Sequence, residues 1–347
     1  MSAIFLRRNL AMNFVFLVIL ALGALRSGDA DECPSPYDNG PYTVQNMSRI
    51  ETIEKSQRSL WIAVPTVEGN VEEKFPVVQF QHGYLIKNTW YSQIINHIAS
   101  HGFIVVAPQM DFGLSYSATH EIRDAIDVLK WIQANIECAL SLGVPETKPD
   151  FSKLALVGHS RGGKVVFSMG IQLNGTIPIS TIIGLDPVDG DGQGNQTDPP
   201  VLTFKENTLN MTVPTLIVGT RRGSKNWPLF PACAPEDVNH NEFYKDLIEP
   251  VYHFVVAKEY GHMDFLDDAV CKLRSLECMG TVGSRARMSR FAGGVVAAFL
   301  QAIVGNNPCY LSYALTNYTS APVILEVPEQ KGELPHNHNL QVPLKDE

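Results

Sequence analysis

Short apolar runs alternate with stretches of helical spacing along this 347-residue chain. After a polar, turn-rich segment over 31–56, "SLWIAVP" (59–65) reads as a first strand, followed by the charged turn "TVEGNVEEK". "FPVVQFQHG" (75–83) and "FIVVAP" (103–108) are β-branched and aromatic runs that stop at glycine and proline, as buried strands do. Between them, "WYSQIINHIASH" (90–101) places apolar groups at helical spacing. A longer amphipathic helix over 119–142 carries Ile122, Ile126, Leu129 and Ile132 as its stripe. The strand "KLALVG", a helix from Ser160, the strand "STIIGLDP" and a glycine-rich loop over 190–200 come next. Strands "PTLIVGT" and "VYHFVVAKEYGH" and a helix over 286–304 complete the pattern, and the tail from Pro328 is expected to be unstructured. There is no internal repeat. Such alternation predicts an α/β fold: a mostly parallel central sheet with helices on both faces, in one domain over 31–327 and a flexible tail over 328–347.

Composition narrows the class. An apolar fraction of 45% and a charged fraction of 18% belong to a globular chain with a large core. At the N-terminus, Arg7 and Arg8 precede an apolar run from about Leu10 to Leu25, and Gly28-Asp29-Ala30 offers a small-x-small cleavage site. That layout predicts a secretory signal peptide over 1–30, an uncleaved anchor being the alternative. Five N-x-[ST] sequons, at Asn46, Asn174, Asn195, Asn210 and Asn317, agree with that route, as do six cysteines that all follow the cleavage site. The vacuole, the cell exterior and the endoplasmic reticulum are the expected destinations, with the chloroplast as alternative. Net charge is −9, and becomes −11 when the leader takes Arg7, Arg8 and Arg26 away with Asp29. No basic patch can hold a phosphate backbone, so nucleic acid is excluded as a partner.

The candidate chemistry sits in "LALVGHSRGGKVVF" (154–167), which admits two readings. Gly158 to Lys164 matches a P-loop up to its last position, where a hydroxyl must ligate magnesium; that position is Val165, which has no oxygen to give. Gly158-His159-Ser160-Arg161-Gly162 is also a G-x-S-x-G turn. A strand passing directly into a helix strains the serine backbone and leaves no room for a Cβ at the flanking positions, which are glycine here. The second reading explains every position, and predicts Ser160 as a nucleophile above the sheet edge.

A serine hydroxyl needs a base and a group to orient that base, in the chain order Ser, Asp or Glu, His. His262, in "EYGHMDF" after the last long strand, occupies the position of the base, whereas His253 falls within a strand, His240 begins a helix, and His336 and His338 lie in the tail. For the acid, Asp186 and Asp189 in "GLDPVDG" are equally placed, although an Asp-Pro pair also terminates strands. The oxyanion donors expected are the backbone N–H groups of Arg161, at the helix start, and of Tyr84, after the turn at Gly83.

Taken together, "FPVVQFQHGYLIKNTWYSQIINHIASHGFIVVAPQM", "LVGHSRGGK", "GLDPVDG", "PACAPEDVNHNEFY" and "YHFVVAKEYGHMDFLDD" resemble the plant chlorophyllases. The resemblance implies an α/β-hydrolase that cleaves the phytyl ester of chlorophyll or pheophytin without a cofactor or metal, and with peripheral membrane contact compatible with such a substrate. It matches Ser160 to the nucleophile, His262 to the base and, by the P-V-D-G element, Asp189 to the acid. A general carboxylesterase or lipase-like enzyme would use the same residues, and a non-catalytic tetrapyrrole-binding protein is the rival from another class.

Overall fold

The chain divides into two compact units, Met1–Pro34 and Ser35–Glu347. A computed structural model describes residues 33–48, 58–69, 71–110, 117–211, 213–227, 230–270, 278–281 and 283–334. The expected signal peptide and most of the expected tail lie outside them.

Among the described residues the larger unit is built on one nine-stranded sheet. In chain order its strands are β1 Thr43–Ser48, β2 Leu60–Thr66, β3 Glu73–Gln81, β4 Ile104–Pro108, β5 Thr147–His159, β6 Thr181–Leu185, β7 Thr215–Thr220, β8 Val251–Val256 and β9 Glu329–Lys331. Across the sheet the order is β1-β2-β4-β3-β5-β6-β7-β8-β9. The block from β4 to β8 is parallel; β1, β2 and β9 run antiparallel to their neighbours.

Period-two alternation of the strands separates the core into two apolar layers. Trp61, Ala63, Val78, Phe80, Ala155 and Val157 face one way, packing with α1 (Ser92–Ser100) and α5 (Ala286–Ile303). Leu60, Ile62, Val77, Leu154, Leu156 and Ile217 face the other, packing with α2 (Thr119–Leu140), α3 (Arg161–Leu173) and α4 (His240–Asp246). A short α6 (Cys309–Thr316) adds Leu311, Ala314 and Leu315 to the first layer. The stripe expected on the 119–142 helix is the buried face of α2.

Three expectations are corrected. The polar segment before the first expected strand contains β1, whose exposed side chains pair along β2 as a sheet edge and so lack the apolar alternation that would betray a strand. The strand expected over "KLALVG" begins earlier, at Thr147, because its polar lead pairs with Glu73–Pro76 of β3 across a register break at Pro76/Val77. Part of the expected tail, Glu329–Lys331, is β9, held by main-chain pairing to β8 rather than by burial of its side chains.

Of the sequon asparagines, Asn46, Asn174, Asn195 and Asn210 are exposed and Asn317 is half-buried. Cys233 and Cys278 form a disulfide, and Cys138 is an exposed free thiol. No helix among the described residues is long and apolar enough to cross a membrane.

Candidate active site

Strand β5 ends at His159, and α3 begins at Arg161, so Ser160 alone makes the turn. Its backbone sits at φ 58°, ψ −127°, a region that side-chain-bearing residues rarely adopt. The turn is tight enough to require both flanking glycines. A Cβ on Gly158 would lie 2.2 Å from the Gly162 carbonyl oxygen, and one on Gly162 would lie 2.4 Å from that of Gln81. The Ser160 amide donates to the Leu185 carbonyl at the end of β6, which pins the turn to the neighbouring strand (3.0 Å).

His262 starts a short 3₁₀ turn (His262–Phe265) beyond β8, at the same sheet edge. Its Nε2 lies 2.7 Å from Ser160 Oγ, and its Nδ1 lies 2.9 Å from Asp186 Oδ2. All three side chains are buried. Asp186 follows β6 directly at φ 42° and takes further hydrogen bonds from Thr220, the backbone N–H to Oδ1 (3.1 Å) and the hydroxyl to Oδ2 (2.9 Å). Burial by itself raises the Asp186 carboxyl, but the hydrogen bond and charge of His262, joined by His240 and Thr220, outweigh it and hold the group below its usual value. An ionised carboxylate facing Nδ1 fixes the N–H there and leaves Nε2 to accept the serine proton.

Asp189, the acid matched by resemblance, does not contact His262. It forms a fully buried ion pair with Lys164 (2.5 Å), and its Oδ2 accepts from the amides of Val201 and Leu202 (2.8 Å each) and from the Gln196 side chain (2.6 Å). Lys164 also bonds the Thr197 hydroxyl and carbonyl. The lysine that completed the P-loop resemblance therefore clamps the 190–202 loop through Asp189. The physical reason for the correction is reach: Asp186 sits at the strand end beside the Ser160 turn, whereas three residues later the chain has turned toward α3.

Gly83 packs against Ser160, since a Cβ there would come within 3.1 Å of Ser160 Cβ. The loop after β3 is braced by His82, whose Nδ1–H donates to the Gly83 carbonyl (2.8 Å) while Nε2 accepts from the Met110 amide (2.8 Å). The side chains of the two residues expected to supply oxyanion donors meet, with the Arg161 guanidinium 4.9 Å above the Tyr84 ring. That guanidinium also pairs with Glu121 (2.8 Å). Among the described residues, the Tyr84 amide has no protein acceptor.

His262 is supported from below. Asp264, two residues beyond it, accepts from the amides of Gly261 (2.7 Å) and Thr281 (2.8 Å) and pairs with the buried Arg285 (3.1 Å). Gly261 leaves room for the Met279 carbonyl, which would lie 1.9 Å from a Cβ at that position. The Cys233–Cys278 disulfide joins this support to that of Asp186, because Ala234 donates to the Gly223 carbonyl and Gly223 leaves no space for a Cβ beside Asp186 Oδ2 (2.7 Å). Sequence reasoning missed Thr220, Asp264 and Arg285, whose only signal is proximity in space.

A serine in a strained strand-to-helix turn, a histidine within hydrogen-bond reach and a carboxylate behind it compose an acyl-transfer constellation. Residues 32–332 match the family model described as Chlorophyllase. The chain is 40% identical over 282 residues to chlorophyllase-2 of Arabidopsis thaliana, covering 77% of this chain and 86% of that one. It is also 40% identical over 248 residues to chlorophyllase-1 of the same plant, covering 69% and 74%. To the Citrus unshiu protein named "Chlorophyllase-1, chloroplastic" it is 33% identical over 301 residues, covering 84% and 87%. With a mostly parallel sheet carrying this turn at its edge, the chain belongs to the chlorophyllase family of α/β-hydrolases.

Proposed function

We propose that this protein is a chlorophyllase that cleaves the phytyl ester of chlorophyll to chlorophyllide and phytol, with Ser160 as nucleophile, His262 as general base and Asp186 as the acid that orients it. The observation that carries the reading is the continuous line from Ser160 Oγ through His262 to Asp186 at 2.7 and 2.9 Å. Ser160 loses its proton to His262 Nε2 as its oxygen attacks the propionate carbonyl. Asp186, ionised and fixed by Thr220, stabilises the imidazolium that results. The amides of Tyr84 and Arg161 bind the tetrahedral oxyanion; losing one such donor costs on the order of 10²-fold in rate. His262 then protonates the departing phytol oxygen, which breaks the ester bond. A water deprotonated by the same histidine hydrolyses the acyl-enzyme and restores the serine.

The chain from about Asp31, with and without Ser160→Ala, is assayed on chlorophyll a beside a short p-nitrophenyl ester. Release of chlorophyllide that falls at least ~10⁴-fold in the variant is the expected result. Turnover of only the small ester would remove chlorophyll as the substrate, and turnover of chlorophyll that survives Ser160→Ala would remove the mechanism.

A further inference from the structure

The last residue of β5, just before Ser160, is a buried histidine with both ring nitrogens engaged. Because β5 alternates, His159 points into the layer of α1 and α5, away from α3, and its ring packs on Phe265 (5.0 Å between centroids) and on His262 itself (4.8 Å). His159 Nε2 lies 2.9 Å from the backbone carbonyl of His262. A carbonyl can only accept, so Nε2 carries the proton and Nδ1 of the neutral ring is an acceptor. Tyr91, just ahead of α1, lies 2.7 Å from that Nδ1 and must donate to it. The Tyr91 oxygen in turn accepts from the Gly83 amide at 3.1 Å. One sense of donation therefore runs without a break from Gly83 N–H to the Tyr91 hydroxyl, on to His159, and from His159 to the main chain of the base.

We infer that His159 and Tyr91 are positioning residues that hold the main chain of the base and the loop expected to supply the oxyanion donor in one fixed relation to the nucleophile; this rests on the catalytic reading of Ser160 and His262. The brace touches all three components. His159 is bonded covalently to Ser160, supports His262 from its carbonyl, and stands 3.2 Å from where a Cβ on Gly83 would be. Its neutrality matters as well, because a second cation stacked on His262 would oppose the imidazolium formed in the reaction. Burial pushes the His159 pKa down to about 3, with His262 and His82 lowering it further and Asp186 opposing them. A residue that only filled this space would be better replaced by leucine than by a polar side chain, whereas a brace needs a donor and an acceptor.

The test compares Tyr91→Phe, His159→Leu and His159→Gln with wild type and Ser160→Ala, measuring kcat and KM on the p-nitrophenyl ester and melting temperature on each. Tyr91→Phe keeps the ring and removes the hydroxyl, and is expected to lower kcat roughly tenfold with KM changed less than about twofold, since misplacement of catalytic groups reads out in the chemical step. His159→Leu is expected to lose ~10²-fold in kcat, and His159→Gln, which restores a donor and an acceptor, to recover most of it. The inference is overturned if Tyr91→Phe and His159→Leu, folded by their melting temperatures, keep kcat within about twofold of wild type while Ser160→Ala is inactive. It is equally overturned if leucine supports turnover as well as glutamine does. Turnover surviving in Ser160→Ala would instead defeat the catalytic reading, and the brace with it.

Discussion

Asp186 and Asp189 stand three residues apart, and their surroundings give them different work. Asp186 is bonded to His262 and Thr220; Asp189 is bonded to Lys164 and to the loop amides it gathers. Asp186→Asn is therefore expected to lower kcat on the order of 10⁴-fold with little change in melting temperature, because the wrong histidine tautomer is then favoured. Asp189→Asn strands a buried ammonium, and is expected to cost about 3–5 kcal/mol of stability while the folded fraction keeps kcat within several-fold. Steady-state kinetics with urea unfolding on both variants checks the division, and the opposite pattern would return the role to Asp189. Residue order singled out Ser160 and His262, which the fold brings within hydrogen-bond distance of each other. It could not choose between two aspartates on one loop, since that choice depends on where each side chain points after the strand ends.

Elements deliver these side chains to one edge, and loops then hold them there. The Asp267 carboxylate, beyond His262, accepts from the first two amides of α1, Ser92 (2.8 Å) and Gln93 (2.9 Å), so the turn after β8 also caps the helix that follows Tyr91. The Cys233–Cys278 disulfide links the loop beside Asp186 to the loop under His262 across 45 residues of sequence. Closing a loop of that length lowers the entropy of the unfolded chain enough to stabilise the fold by about 4 kcal/mol. The double variant Cys233→Ser, Cys278→Ser is expected to lose stability of that order and to turn over more slowly as well. Thermal melts and kcat measured on one preparation check both, and unchanged kcat would mean that the link serves stability alone. Even a correct list of strands did not contain this pairing, because disulfide partners are chosen by position in space.

At the scale of the whole molecule, buried histidines set the acid limit. Burial holds His97 near 4 and His159 near 3, and lowers His82, His101 and His240 from their ordinary value of 6.5. The unfolded chain binds protons at these sites below about pH 6.5 that the folded chain refuses, so stability is lost as pH falls, over a window from about 6.5 to about 4 for His97 and about 3 for His159. Each such histidine contributes a slope of up to about 1.4 kcal/mol per pH unit. Asp186, whose folded pKa is depressed, adds stability that is present above its unfolded value and disappears at still lower pH. Urea midpoints at pH 7, 5.5 and 4.5 are expected to fall steeply; a flat profile would mean that these rings are protonated or exposed in the folded state.

What the sequence determined by itself follows from local rules. Period-two runs and helical stripes specified the layered sheet, and the demand of a strand-to-helix turn for glycine at 158 and 162 marked Ser160. The edge strands β1 and β9 escaped the same rules because main-chain pairing, not apolar burial, holds them. Which carboxylate reaches His262, and how His159 and Tyr91 fall into line with Gly83, follow from packing between distant elements. Those relations depend on the direction of side chains from elements distant along the chain, and hydrogen bonds there are formed or lost within a few tenths of an ångström.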